Sequence, residues 1–204
     1  MIWLSISFLK EERVLIKQNI LLATRSPRRR ELLERIGINY YSAYPDCDET
    51  VDLSLPPEEM VKSIALQKAL WVKENYNTEG KVILSADTLV HHDGKMLGKP
   101  VDEADAFTML RSLSGSYHEV YTGFALVSDD KIINDYEMTK VKFRELSDRD
   151  IYEYVASGEP LDKAGAYGIQ EKGCIFVERI EGDFFNVLGL PICKIYTILS
   201  QGLI

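Results

Sequence analysis

The stretch Val82-Ile83-Leu84-Ser85-Ala86-Asp87-Thr88-Leu89-Val90-His91-His92-Asp93-Gly94-Lys95-Met96-Leu97-Gly98-Lys99 joins a buried strand to a hairpin. Val82 to Ala86 is a short, mainly apolar run of the kind that sits in the middle of a sheet. Asp93-Gly94 separates Leu89-Val90-His91-His92 from Lys95-Met96-Leu97, and a two-residue Asp-Gly link accepts the positive φ angles of a tight hairpin turn. Counting outward from that turn pairs His92 with Lys95, Val90 with Leu97 and Thr88 with Lys99. A hairpin makes antiparallel neighbours, which argues against a doubly wound parallel sheet.

Toward the N-terminus, Asn19 to Ala23 is another apolar run, followed by Thr24-Arg25-Ser26-Pro27. Ser26 is placed as N-cap and Pro27 as first residue of a helix that stops at Gly37. A second helix begins after Pro56-Pro57 and runs to about Glu74. Toward the C-terminus, Asp102 with Asp105 opens a helix that Gly115 closes. Strands are expected at Val120 to Val127, Glu137 to Phe143 and Ile175 to Ile180. Ser147 with Asp150 caps a helix ending at Gly158, and Pro191 starts the last helix. This alternation predicts an α/β protein, a mixed β-sheet flanked by helices, with a single domain over residues 19–204. Residues 1–18 form an N-terminal extension to which the sequence assigns no role. Its apolar part, Met1 to Leu9, has no basic residue before it and no small-residue cleavage site after it, so it does not read as a secretion signal.

With 46% hydrophobic and 27% charged residues in 204, the composition is that of a soluble globular protein, and no apolar run is long enough to span a membrane. The net charge of -8 disfavours attraction to a nucleic-acid polymer or an anionic membrane, so any phosphate must be gripped locally. Cys47, Cys174 and Cys193 are odd in number and share no metal-ligand spacing. They fit small hydrophobes in a reducing, cytoplasmic compartment.

Three constellations carry chemistry. In Ser26-Pro27-Arg28-Arg29-Arg30, cations crowd the positive end of a helix dipole, an arrangement that invites an anion. Leu32, Leu33 and Ile36 define the apolar arc of that helix and Arg29 falls near its middle, so Arg29 is expected to point inward; a solvated basic helix end is the plainer alternative. In the next helix Met60, Val61, Ile64, Ala65, Trp71 and Val72 share a face with Lys68 at its centre, whereas Lys62 and Lys73 lie off it. Lys68 either meets a partner or snorkels along the core edge. Asp87, at the end of its strand, sits where α/β proteins place their ligand crevice, and the hairpin returns Lys99 beside Asp87 and Thr88. A structural Asp–Lys pair is the alternative. His91 and His92 point to opposite faces of a strand and make a poor metal site.

Thr24-Arg25-Ser26-Pro27-Arg28-Arg29, Asp48-Glu49-Thr50, Lys68-Ala69, Ser85-Ala86-Asp87-Thr88, Gly98-Lys99-Pro100, Asp162-Lys163-Ala164-Gly165-Ala166-Tyr167-Gly168-Ile169-Gln170 and Asn186-Val187-Leu188-Gly189-Leu190-Pro191 follow one another in an order that resembles the Maf family. The resemblance covers about residues 19–199. It implies a fold similar to the inosine triphosphate pyrophosphatases, two lobes with a cleft, and hydrolysis of nucleoside triphosphates to monophosphate and pyrophosphate. It also implies Asp87 as proton acceptor, Glu49 and Asp87 as ligands of a divalent cation, Mg²⁺ or Mn²⁺, and Arg29, Lys68, Lys99 and Lys163 as phosphate ligands, with the hydroxyls of Thr24 and Ser26 nearby. Thr24 stands where the family usually has serine. Arg28, Thr88 and Gln170 together resemble the branch that acts on dTTP and UTP. The partner implied is a small nucleotide, with a homodimer compatible, and the implied role is to keep unwanted nucleotides from incorporation. A nucleotide-binding regulator of cell division without turnover, or a pyrophosphatase for modified purines such as 7-methyl-GTP, are the alternatives.

Overall fold

The computed structural model describes residue 16, residues 18–50 and residues 52–204; of the N-terminal extension, all but Ile16 and Gln18 lies outside the described residues. Among the described residues seven strands form one mixed sheet. They are β1 (Asn19–Ala23), β2 (Tyr40–Ala43), β3 (Lys81–His92), β4 (Lys95–Leu97), β5 (Tyr117–Val127), β6 (Ile132–Phe143) and β7 (Val177–Glu181). The order is β2-β1-β3-β5-β6-β7, with β4 paired to β3. β1 is parallel to β2 and β3, and the remaining pairs are antiparallel, as the hairpin requires. Asp93 and Gly94 take φ of 48° and 72°, and the ladder pairs Val90 with Leu97 and His92 with Lys95 as counted from the turn.

Among the described residues six α-helices cover the faces: α1 (Pro27–Arg35), α2 (Pro57–Asn75), α3 (Glu103–Leu113), α4 (Asp148–Val155), α5 (Phe184–Val187) and α6 (Ile192–Ser200). Sequence capping signals set several starts. The Asp102 side chain accepts from Asp105 N, and Ser147 with Asp150 forms a reciprocal capping box. On one face α2 packs Ala65, Ala69 and Val72 onto Leu21, Ile83, Ala125 and Val127. The larger core fills the other face, where Leu33, Leu110, Phe124, Phe143, Ile151 and Ile195 are fully buried. Each such side chain contributes about 1.5 to 3 kcal/mol by leaving water.

One contact fixes how closely α2 lies on the sheet. A Cβ added at Gly123 would fall 2.3 Å from the Val61 carbonyl carbon and 2.4 Å from its oxygen. Only glycine lets the α2 backbone settle there, and Gly123 is the cross-strand partner of Asp87.

Several expectations are corrected. β3 continues to His92, so Asp87 lies inside the strand instead of at its end. β4 stops at Leu97, and Thr88 therefore does not pair with Lys99. Ile36 is exposed, beyond the C-terminus of α1, while Ala69 joins the buried face of α2, against which Trp71 packs half-buried as expected. Lys172–Phe176 forms a 3₁₀ turn, so the strand expected from Ile175 begins only at Val177. Cys174 and Cys193 are exposed and Cys47 half-buried; none behaves as a core hydrophobe, and all three are free thiols.

Candidate functional site in a gap of the sheet edge

β5 lines one edge of β3 from Ile83 to His91, so β1 and β4 must share the other edge. β1 reaches only Ser85 and β4 begins only at Val90. Among the described residues no strand lies opposite residues 86–89 of β3 on that edge, which leaves a gap. A cleft of about 370 Å³ opens at this gap, and every site residue expected from the sequence lines it: Thr24, Ser26, Arg28, Arg29, Glu49, Lys68, Asp87, Thr88, Lys99, Lys163 and Gln170.

The two faces of β3 supply different halves of the cleft. On the α2 side, the Lys68 ammonium lies 2.6 Å from Asp87 Oδ1 and 3.0 Å from Glu49 Oε1, with only 13% of its side chain exposed. The inward lysine has two carboxylate partners, whereas Lys62 pairs with Glu59 on the surface and Lys73 reaches the Ser128 carbonyl. On the opposite side, Arg29 donates from Nε to Gly189 O at 2.7 Å, from Nη1 to Ala86 O at 2.8 Å and from Nη2 to Thr88 Oγ1 at 3.0 Å. The guanidinium thereby occupies the edge position that a neighbouring strand would otherwise fill. Burial pushes its pKa down, while Asp87 pulls the other way.

At the start of α1, Ser26 is extended and its side chain makes no cap; Thr24 Oγ1 accepts from Ser26 N at 3.1 Å instead. With no acidic residue in the first turn, the positive end of the α1 dipole lies at the wall of the cleft, which Ser26, Pro27, Arg28 and Arg29 line. Arg28 is 3.4 Å from Asp162. Lys163 is 5% exposed and donates to Asp162 Oδ1 and Glu159 O, both at 2.7 Å, with Glu171 at 3.1 Å, so its charge is already answered within its own loop. Lys99 is exposed and Gln170 half-buried at the rim.

Among the described residues no group of three or more His, Cys, Asp or Glu side chains is placed to hold a metal ion. Asp87 and Glu49 nevertheless converge on one ammonium and offer hard oxygen donors. A pair of carboxylates completed by substrate phosphates suits Mg²⁺. His91 turns to Glu119 and His92 to the Tyr117 carbonyl, so the two histidines part to opposite faces.

Sequence reasoning missed the groups behind the cleft. Thr88 Oγ1 lies 3.0 Å from Thr122 Oγ1, Thr122 donates to Asn186 O at 2.9 Å, and Asn186 Nδ2 donates to Val120 O and Thr139 Oγ1, both at 2.9 Å. A single inward polar residue at the centre of an apolar strand, Thr122 between Val120 and Phe124, is the signal that could have found them.

A mixed sheet with helices on both faces thus frames a cation-lined cleft that holds two carboxylates. The chain belongs to the Maf-like protein family, whose model matches residues 19–202. It is 49% identical over 184 residues to a dTTP/UTP pyrophosphatase of Bacillus mycoides (strain KBAB4), and 48% identical to one of Bacillus cereus (strain AH820); each alignment covers 90% of this chain and 95% of the relative. Among solved structures it is similar to the Ham1 protein of Staphylococcus aureus, with a TM-score of 0.48 at 15% identity, covering 91% of this chain and 100% of that one.

Proposed function

We propose that the protein hydrolyses dTTP and UTP to the nucleoside monophosphate and pyrophosphate. The observation that carries this reading is the Asp87–Lys68–Glu49 cluster, set in a cleft that also receives the open amide end of α1. A triphosphate brings several negative charges, and Lys68, Lys99, Arg28 and the α1 amides are the groups that offset them. Asp87 orients a water for attack at the α phosphorus and takes up its proton. Lys68 stabilises charge on the departing pyrophosphate and holds the Asp87 carboxylate in place. Asp87 and Glu49 would hold a divalent cation, Mg²⁺ or Mn²⁺, which when bound supplies charge neutralisation to the triphosphate. Two carboxylates argue for turnover over mere nucleotide capture, since binding a polyanion calls for cations alone.

For the base, Gln170 can accept from the ring N–H of uracil or thymine while donating to a flanking carbonyl. Residues 19–204 carry the whole activity, the substrate is a free nucleotide in the cytoplasm, and the acidic surface keeps nucleic-acid polymers away. Among the described residues no helix is long and apolar enough to cross a membrane. The test is a panel of triphosphates incubated with Mg²⁺ and the products separated. dTTP and UTP are cut to monophosphate and pyrophosphate, CTP more slowly, and purines little. Release of diphosphate and orthophosphate, or a higher kcat/KM for GTP or 7-methyl-GTP than for both dTTP and UTP, overturns the reading.

A further inference from the structure

The protons behind the cleft can be traced one by one. Thr122 is fully buried and does not line the cleft. Its Oγ1 is 2.9 Å from the Asn186 carbonyl, which also accepts from Gly189 N at 2.9 Å. Two oxygens at that separation need a hydrogen between them, and a carbonyl has none to give, so the hydroxyl hydrogen of Thr122 is spent on Asn186. The 3.0 Å contact between Thr88 and Thr122 then has one possible donor, Thr88. With that hydrogen turned inward, Thr88 Oγ1 accepts from Arg29 Nη2.

We propose that Thr122 is a positioning residue that fixes the hydroxyl hydrogen of Thr88, so that the cleft meets Thr88 as a hydrogen-bond acceptor only. Thr88 cannot then donate to a phosphate or base carbonyl; it receives an N–H, from Arg29 and from a ligand that presents one. At the ring position uracil and thymine carry an N–H, which Thr88 would share with Gln170, where cytosine carries a bare nitrogen; a hydroxyl that only accepts there favours the first two, although the amino group of cytosine is itself a donor. This consequence for the base rests on the pyrophosphatase reading, whereas the direction of the hydrogen does not.

Two measurements separate them. In isotope-labelled wild-type protein, NMR should find the Thr88 hydroxyl hydrogen slow to exchange and close to the Thr122 side chain. In Thr122→Val, which keeps the shape and removes the acceptor, that hydrogen exchanges quickly, and in Thr122→Ser it is protected again. A wild-type Thr88 hydrogen pointing to the cleft, or one equally protected in Thr122→Val, overturns the proposal even if no triphosphate is hydrolysed. In kinetics, loss of one positioned hydrogen bond lowers kcat/KM for UTP by roughly five- to tenfold in Thr122→Val. CTP falls less, so the UTP-to-CTP ratio narrows, and Thr122→Ser restores it. Equal losses for UTP and CTP would reduce Thr122 to a structural role and sink the specificity consequence, leaving the proton assignment to the NMR result.

Discussion

Asp87 and Thr88 are adjacent in sequence, yet their side chains leave β3 on opposite faces, Asp87 toward Lys68 and Thr88 toward Arg29 and Thr122. Alternation along a strand demands this separation. Both reach one cleft because β1 ends at Ala23 and leaves the edge of β3 open between them. The face bearing carboxylates and Lys68 is thereby distinct from the face bearing hydroxyls and Arg29.

The first prediction follows from the Asp87 face. Asp87→Asn retains the shape and leaves Lys68 its contact with Glu49. Turnover of dTTP should fall by roughly two to four orders of magnitude, the usual range for a general base, while the triphosphate still binds. Single-turnover kinetics and equilibrium binding on the same preparation check it. Near-normal turnover removes Asp87 from the chemistry.

A second prediction compares lysines on one helix. Lys68→Ala leaves Asp87 and Glu49 facing each other without their shared cation and should lower kcat/KM by roughly 100-fold or more. Lys62→Ala removes the same formal charge from a surface pair with Glu59 and should stay within about twofold. Similar losses in the two variants would mean that net charge, and not the placement of Lys68, governs the rate.

The third concerns Gly123. Gly123→Ala drives a methyl into the Val61 peptide, which cannot move aside as a flexible side chain would. α2 must lift from the sheet, at a cost of about 3 kcal/mol. Because α2 carries Lys68 and Gly123 neighbours Asp87, turnover should fall along with the denaturation midpoint. An unchanged midpoint in urea would contradict the backbone contact.

The fourth is a pH dependence of stability. Burial, helped by His92, pushes the pKa of His118 down to about 3, and its Nε2 meets the Tyr167 hydroxyl at 2.8 Å. The unfolded chain takes up a proton near pH 6.5 while the folded one stays neutral, so stability is lost as pH falls from about 6.5 toward 3. At pH 5 this histidine alone accounts for about 2 kcal/mol. His118→Gln keeps a neutral hydrogen-bonding group but cannot titrate, and its stability should decline less between pH 7 and pH 5 than that of the wild type. Parallel decline in both proteins, followed by chemical denaturation, counts against a neutral buried His118.

Local signals were legible where a few neighbouring residues decide the outcome. The register of the Asp93-Gly94 hairpin, the caps at Asp102 and Ser147 and the inward turn of Lys68 all follow from spacing alone. β2 was not legible, because Tyr40–Ala43 owes its extended form to parallel pairing with β1 and its own sequence, Tyr-Tyr-Ser-Ala, alternates weakly. Lys163, expected as a phosphate ligand only from the family resemblance, is claimed by Asp162, Glu171 and Glu159 in space. The hydroxyl order Thr88 to Thr122 to Asn186 joins residues 34 and 64 positions apart, which no local window can connect. The lone glycine at 123 could have been flagged as a place of close backbone approach; what approaches could not.

The open edge of β3 has a meaning beyond the ligand it admits. An uncovered stretch of strand offers unpaired backbone groups to any passing chain and is a common starting point for self-association. Here a side chain answers part of it: Arg29 holds the Ala86 carbonyl and sets a positive charge against the edge of β3. The same residue that shapes one wall of the cleft thus puts a charge beside the open edge, which makes that edge a poorer template for a foreign strand while leaving it open to a small molecule.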